Sequence, residues 1–117
     1  MKERTDCIFC QIAAGEIGSD LLYQDNGIIA FRDINPLAPT HILIVPRKHI
    51  SSLAELSEDE ATLTGTMVNV ANCLARSEGI VERGYRLVIN CGREGGQGVA
   101  HLHMHFLGGR QLGNQLG

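Results

Sequence analysis

His101-Leu102-His103-Met104-His105-Phe106-Leu107 alternates an imidazole with an apolar side chain over its whole length. Successive side chains of a β-strand point to opposite faces, so this pattern predicts a strand with two unlike surfaces. Leu102, Met104 and Phe106 would face a core, and His101, His103 and His105 would line up on the other side, roughly 6.5–7 Å apart along the strand. Histidine is costly to bury without a partner and ionises near neutral pH. The row therefore predicts a site for proton, phosphoryl or metal chemistry rather than core filling.

Working outward, Gly92–Ala100 is a glycine-rich loop that runs into this strand, and Tyr85–Cys91 reads as the strand before it. Ser57-Glu58-Asp59-Glu60 has capping-box spacing, with an acidic first turn, and opens a helix running to about Glu78. Leu63, Met67, Val70 and Leu74 recur along it at helical intervals, and Gly79 ends it. His41–Val45 is a dense apolar strand stopped by Pro46, and Asn35-Pro36 and Pro39 mark the loop before it. Leu21–Gln24 and Ile28–Asp33 form two further strands. Asp25-Asn26-Gly27 between them predicts a tight hairpin turn with positive φ angles. Residues 7–14 form a short helix that Gly15 terminates. The sum is α+β, a mainly antiparallel five-stranded sheet with one long and one short helix.

The chain of 117 residues is one domain by length, 1–117, and can bury about 65% of its unfolded surface. Its final segment, 108–117, has little apolar content and is expected to be mobile unless a partner orders it. Net charge is −3, with 44% hydrophobic and 20% charged residues and a pI near 5.9, a balance that argues against a broad nucleic-acid footprint. No apolar run approaches the ~20 residues that span a bilayer. The start, Met1-Lys2-Glu3-Arg4-Thr5-Asp6, is polar and leads into only a short apolar patch, so no signal peptide is expected and a cytoplasmic setting is the default. In such a setting Cys7 and Cys10, a Cys-x-x-Cys pair, point to a metal or redox site, and Cys73 and Cys91 read as buried small hydrophobes.

The loop Asn90-Cys91-Gly92-Arg93-Glu94-Gly95-Gly96-Gln97-Gly98 can turn successive N–H groups toward an anion. It precedes a strand, so it is neither a Rossmann fingerprint nor a P-loop. Beside imidazoles it suits attack at phosphorus. A metal held by all three histidines is the competing reading. Three ligands from alternate positions of one strand would strain a tetrahedral site, so the residues favour catalysis.

His-φ-His-φ-His-φ-φ is the signature of the histidine-triad (HIT) nucleotide hydrolases and transferases, and the sequence resembles that family along nearly its whole length. Phe31-Arg32-Asp33-Ile34-Asn35-Pro36, Ala38-Pro39-Thr40-His41, Ile44-Val45-Pro46, Gly84-Tyr85-Arg86, Gly95-Gly96-Gln97 and Leu107-Gly108-Gly109-Arg110 resemble its Hint branch, the purine nucleoside phosphoramidases. The resemblance implies hydrolysis of AMP- or GMP-linked phosphoramidates through a nucleotidyl-histidine on His103. It implies His105 as a phosphate contact, His101 as a group orienting or protonating the leaving group, and His41 as a fourth histidine nearby. It implies Asp33 as the ribose ligand, where the residue alone reads equally as a turn former. Ile8, Phe9, Ile17, Phe31 and Ile34 match the purine slot, and Asn90, Gly96, Gln97, Gly98 and Val99 the phosphate and leaving-group contacts. Gly98 departs from the family, where many relatives carry Ser or Thr. Relatives are homodimers whose sheets join, and the Tyr85–Cys91 strand could lie at an edge needing cover. Another HIT branch, hydrolysing dinucleoside polyphosphates or transferring nucleotidyl groups, and a non-catalytic nucleotide- or partner-binding protein are the alternatives.

Some HIT proteins join an N-terminal Cys-x-x-Cys through zinc to the histidine of Pro-x-x-His and to the first triad histidine. Cys7, Cys10, His49 (in Pro46-Arg47-Lys48-His49) and His101 supply that set, and two thiolates with two imidazoles suit a closed structural Zn²⁺. The resemblance implies no cofactor for catalysis. Packing of Cys7 and Cys10 on a short helix is the alternative.

Overall fold

The computed structural model describes residues 6–116; Met1–Thr5, the bulk of the polar start, and Gly117, the end of the tail, lie outside the described residues. The elements run α1 (Ile8–Ala13), β1 (Leu21–Gln24), β2 (Ile28–Arg32), β3 (Thr40–Pro46), two 3₁₀ turns, α2 (Ala61–Ser77), β4 (Tyr85–Val88) and β5 (Met104–Gly108). The five strands form one sheet in the order β1-β2-β3-β5-β4, and every neighbouring pair is antiparallel. The expected α+β architecture is therefore present.

Period-two alternation gives the central strands two functions. Ile28, Ala30, Ile42, Ile44, Met104 and Phe106 face α2 and pack on Met67, Val70, Ala71, Leu74 and Ala75. The opposite face carries Ile29, Phe31, Leu43 and Val45 under Phe9 of α1. Leu43 pairs with His105 across β3 and β5, which puts the histidine on the α1 side. The large core thus lies behind the sheet and holds it still, and the chemistry lies in front.

Several local expectations need correction. The 25–27 turn has no positive φ: none of the described non-glycine residues has one, and Gly27 is not among the glycines that do. Asp25 builds the turn instead, its Oδ1 accepting from the N–H groups of Gly27 at 2.7 Å and Ile28 at 2.8 Å. The capping box at Ser57 and Glu60 forms, but it closes a 3₁₀ turn, and the α-helix begins at Ala61. Cys73 is exposed and Cys91 half-buried, because Cys73 sits off the stripe of α2 that meets the sheet. The strand expected over Tyr85–Cys91 ends at Val88, Ile28–Asp33 ends at Arg32, and His41–Val45 extends to Thr40–Pro46.

The histidine strand is also shorter than its alternation predicts. It starts at Met104, so His101 and His103 precede it. Pro46, at the end of β3, has no N–H to continue the ladder. The Leu102 N–H turns away to the Ile50 carbonyl at 2.6 Å. Beyond β5 the tail is tethered by Arg86, which donates to the Gly113 carbonyl at 2.6 Å, and by Arg110, which donates to the Leu37 carbonyl at 3.0 Å. Among the described residues no helix is long and apolar enough to cross a membrane.

Candidate active site and metal cluster

In front of the sheet lies a cleft of about 440 Å³. Ile8, Phe9, Ile17, Phe31 and Ile34 line it together with Asp33, Gly96, Gly98, Val99, His103 and His105. Ile12, Gly18, Ser19, Arg32 and Leu43 also line it and were not anticipated. For Leu43 no signal was available, since an apolar run does not tell which face a residue takes. Asn90, Gln97, His41 and His101 do not line it. The Asn90 side chain donates to the Gly95 carbonyl at 2.8 Å. That of Gln97 accepts from the Gly92 N–H at 2.9 Å and donates to the carbonyls of Ser51 at 2.7 Å and Val99 at 2.9 Å. Both side chains brace the glycine loop from within. The loop is tight enough that a Cβ on Gly95 would meet the Cys91 carbonyl oxygen at 2.3 Å.

Hydrogen bonding distinguishes the histidines. His103 Nδ1 lies 2.7 Å from the carbonyl of His101. A carbonyl only accepts, so Nδ1 carries the proton and the Nε2 lone pair is free. His41 shows the reverse. The Leu37 N–H donates to its Nδ1 at 3.1 Å, which leaves the proton of the neutral ring on Nε2. His41 Nε2 is 3.0 Å from Nδ1 of His105, so His105 accepts there and, as a neutral ring, carries its own proton on Nε2. Neutrality of both rings follows from burial, which pushes His41 below its ordinary pKa despite Asp33, and His105 down to about 4 with the nearby His103 and His41 adding to it. The His103 and His105 rings, 5.0 Å apart, thus hold opposite tautomers, one a lone pair and the other a donor.

Asp33 occupies the mouth of this arrangement. Its Oδ1 accepts from the Asn35 N–H at 2.8 Å, and Oδ2 lies 3.5 Å from His41 Nε2. Phe9 closes the other side, edge-on to His103 with ring centroids 5.1 Å apart.

His101 is fully buried and both its nitrogens are engaged. Nε2–H donates to the Pro46 carbonyl at 2.8 Å, which turns the Nδ1 lone pair toward Cys7 Sγ at 3.2 Å and Cys10 Sγ at 3.6 Å. Both nitrogens of this ring are thus engaged with groups that do not line the cleft. Burial pushes its pKa down to about 4, the neighbouring His49 and His103 adding to the effect. His49 Nδ1 is 3.3 Å from Cys10 Sγ. One donor atom from each of Cys7, Cys10, His49 and His101 falls within 4.8 Å of the others. Ligand atoms around a tetrahedral zinc lie about 3.5 Å apart, so the donor set and its spacing both fit that ion.

A family model described as HIT domain matches residues 14–112. Over 116 residues the chain is 51% identical to the purine nucleoside phosphoramidase of Escherichia coli (strain K12), covering 99% of this chain and 96% of that one. A HIT family hydrolase from Legionella pneumophila Philadelphia 1 superposes with a TM-score of 0.93 at 47% identity, over 96% of this chain and 100% of that chain. A histidine triad protein from Clostridium difficile gives 0.95 at 46% identity, over 97% and 99%. The chain belongs to the HIT-domain family.

Proposed function

We propose that this protein hydrolyses purine nucleoside 5′-phosphoramidates, AMP-N-linked substrates above all, through a nucleotidyl-histidine on His103. The single observation that carries the reading is the pair of opposite tautomers at the cleft, a free Nε2 on His103 beside a protonated Nε2 on His105. The similarity to the purine nucleoside phosphoramidase of Escherichia coli supports the substrate class. His103 Nε2 attacks the α-phosphorus and the P–N bond breaks as the amine leaves with a proton taken from solvent, a proton that the water of the second step returns. Water then attacks the phosphorus, releases the nucleoside monophosphate and restores the imidazole. His105 Nε2–H donates to a phosphoryl oxygen as its charge grows. The backbone N–H groups of Gly98 and Val99 offer further donors beside it. Asp33 accepts from the ribose hydroxyls, and Ile8, Phe9, Ile17, Phe31 and Ile34 enclose the purine.

In this reading His101 contributes through its carbonyl, which orients the nucleophile, and through its ring, which with Cys7, Cys10 and His49 would hold a structural zinc. That ion would tie α1 to the end of β3. A content below about 0.2 zinc per chain in protein purified without chelator would count against it. A homodimer belongs to the same proposal, since β4 lies at the edge of the sheet.

The test is mass spectrometry after a rapid quench with an adenosine phosphoramidate. An AMP adduct on His103, absent from His103→Ala, is the expected result. An adduct on another residue, or undiminished turnover by His103→Ala, refutes the mechanism. A phenotype that survives the substitution would favour a binding protein, and preference for a dinucleoside polyphosphate in competition would favour another HIT branch.

A further inference from the structure

We infer that the Cys7/Cys10/His49/His101 cluster is energetically coupled to the nucleotide cleft, so that metal occupancy sets nucleotide affinity and nucleotide occupancy sets metal affinity. The inference rests on the zinc reading above and goes beyond a structural role for the ion. It assigns His101 as a positioning residue.

Three of the connections that leave the cluster reach the cleft. Ile8 and Phe9 lie in sequence between the two thiols and form part of the cleft wall, so whatever holds Cys7 and Cys10 holds that wall. Phe9 contacts both rings, with centroids 5.8 Å from His101 and 5.1 Å from His103. The second connection is the His101 carbonyl, which accepts from His103 Nδ1 at 2.7 Å and so fixes the tautomer and aim of the nucleophile. The third runs through the segment after His49. Ile50 accepts from the Leu102 N–H at 2.6 Å, and the Ser51 carbonyl accepts from Gln97, the brace of the glycine loop, at 2.7 Å.

The short helix is held to the sheet by Phe9, packed over Ile29, Phe31, Leu43 and Val45, and by Arg47, which donates to the Ala13 carbonyl at 2.8 Å. α1 has six residues, too few to be stable alone, and its N-cap is the Cys7 sulfur, which accepts from the Cys10 N–H at 3.4 Å. One ion bound by all four donors would therefore join the base wall, the nucleophile and the loop bracing into a single unit. Without it, the four side chains are joined by sulfur–imidazole contacts of 3.2 to 3.6 Å, weaker than bonds to a shared ion. Ordering them in advance lowers the conformational cost of binding nucleotide, and this is a coupling free energy of the kind that must act in both directions.

The experiment measures both arms of that linkage on the full-length chain. Metal-free protein is prepared with a chelator under a reductant, its zinc content is read by elemental analysis, and its fold is checked by far-UV circular dichroism. AMP affinity is then measured by calorimetry with and without one equivalent of Co²⁺, and again with Zn²⁺. Separately, Co²⁺ affinity is titrated through its visible absorption bands with and without saturating AMP. The expected result is a gain of about five- to 150-fold in AMP affinity on metal loading, with an equal gain in metal affinity on AMP binding. Cys10→Ser, which weakens one ligand without touching the cleft surface, should reduce both gains. Stoichiometric metal with AMP affinity unchanged within twofold overturns the coupling and leaves a purely structural zinc. Failure to bind Zn²⁺ or Co²⁺ at all overturns the metal reading itself.

Discussion

Replacing His41 by phenylalanine removes a ring that does not touch the cleft, yet it should damage turnover. In the native arrangement the Leu37 N–H forces the His41 proton onto Nε2, and that proton occupies Nδ1 of His105. Phenylalanine fills the space but makes neither bond. His105 is then free to carry its proton on Nδ1 and to present a lone pair to the phosphate. The hydrogen bond that sets the tautomer is worth about 0.5–1.5 kcal/mol, or roughly a two- to 13-fold population bias. Complete loss of one donor to a developing oxyanion costs about 10²- to 10³-fold in kcat. Molecules in the correct tautomer still turn over, so the fall in kcat expected for His41→Phe is about two- to 13-fold, short of the loss of the donor itself, with a smaller change in KM. His41→Gln, whose amide has both a donor and an acceptor, should recover part of the loss. Steady-state kinetics on an adenosine phosphoramidate gives the rates, and long-range ¹⁵N–¹H correlation spectra report the His105 tautomer directly. A kcat within twofold of the native value, or a native His105 protonated on Nδ1, would refute the reasoning.

The same histidines make stability depend on pH. His41 and His105 have folded pKa values below their unfolded value near 6.5, His105 at about 4, so the unfolded chain binds more protons in that interval. Their contribution is complete above pH 6.5 and is lost as pH falls from there toward 4, and urea midpoints taken across this window should decline accordingly. Gly98→Ser should fold normally, because a Cβ there meets nothing within 4 Å and its φ is not in the left-handed region. It should change turnover modestly, and identical kinetics on every leaving group would mean that the missing hydroxyl is unimportant. Met67, fully buried between α2 and the sheet, should lose about 2–5 kcal/mol on substitution by alanine. Urea titration would show this as a lower midpoint at unchanged slope, and a loss under 1 kcal/mol would mean that the core closes over the gap.

Much of this molecule was legible from local pattern alone. The alternation around Met104 and Phe106 and the 3.6-residue stripe of α2 depend on which side of an element each residue faces, and that is a property of backbone periodicity. The chemistry of imidazoles beside a glycine loop was legible for the same reason, since residue types and short spacings determine it. The 25–27 turn was misread because Asn-Gly has a strong intrinsic preference, and a carboxylate one residue earlier outweighed it by capping two N–H groups.

What separated His101, His103 and His105 was tertiary. On an ideal strand they are equivalent, and their sequence neighbours are alike. Their tautomers are set by groups distant in the chain or turned into place by the fold: the Pro46 carbonyl for His101, the His101 carbonyl for His103, and the Leu37 amide acting through His41 for His105. A proton on one nitrogen or the other is decided by which partner is within about 3 Å, and no periodicity encodes that. The sequence by itself determined that histidines would meet a phosphate-sized loop on one side of a sheet. Only the folded chain decided which of them offers a lone pair, which offers a proton, and which turns its ring away toward two thiols.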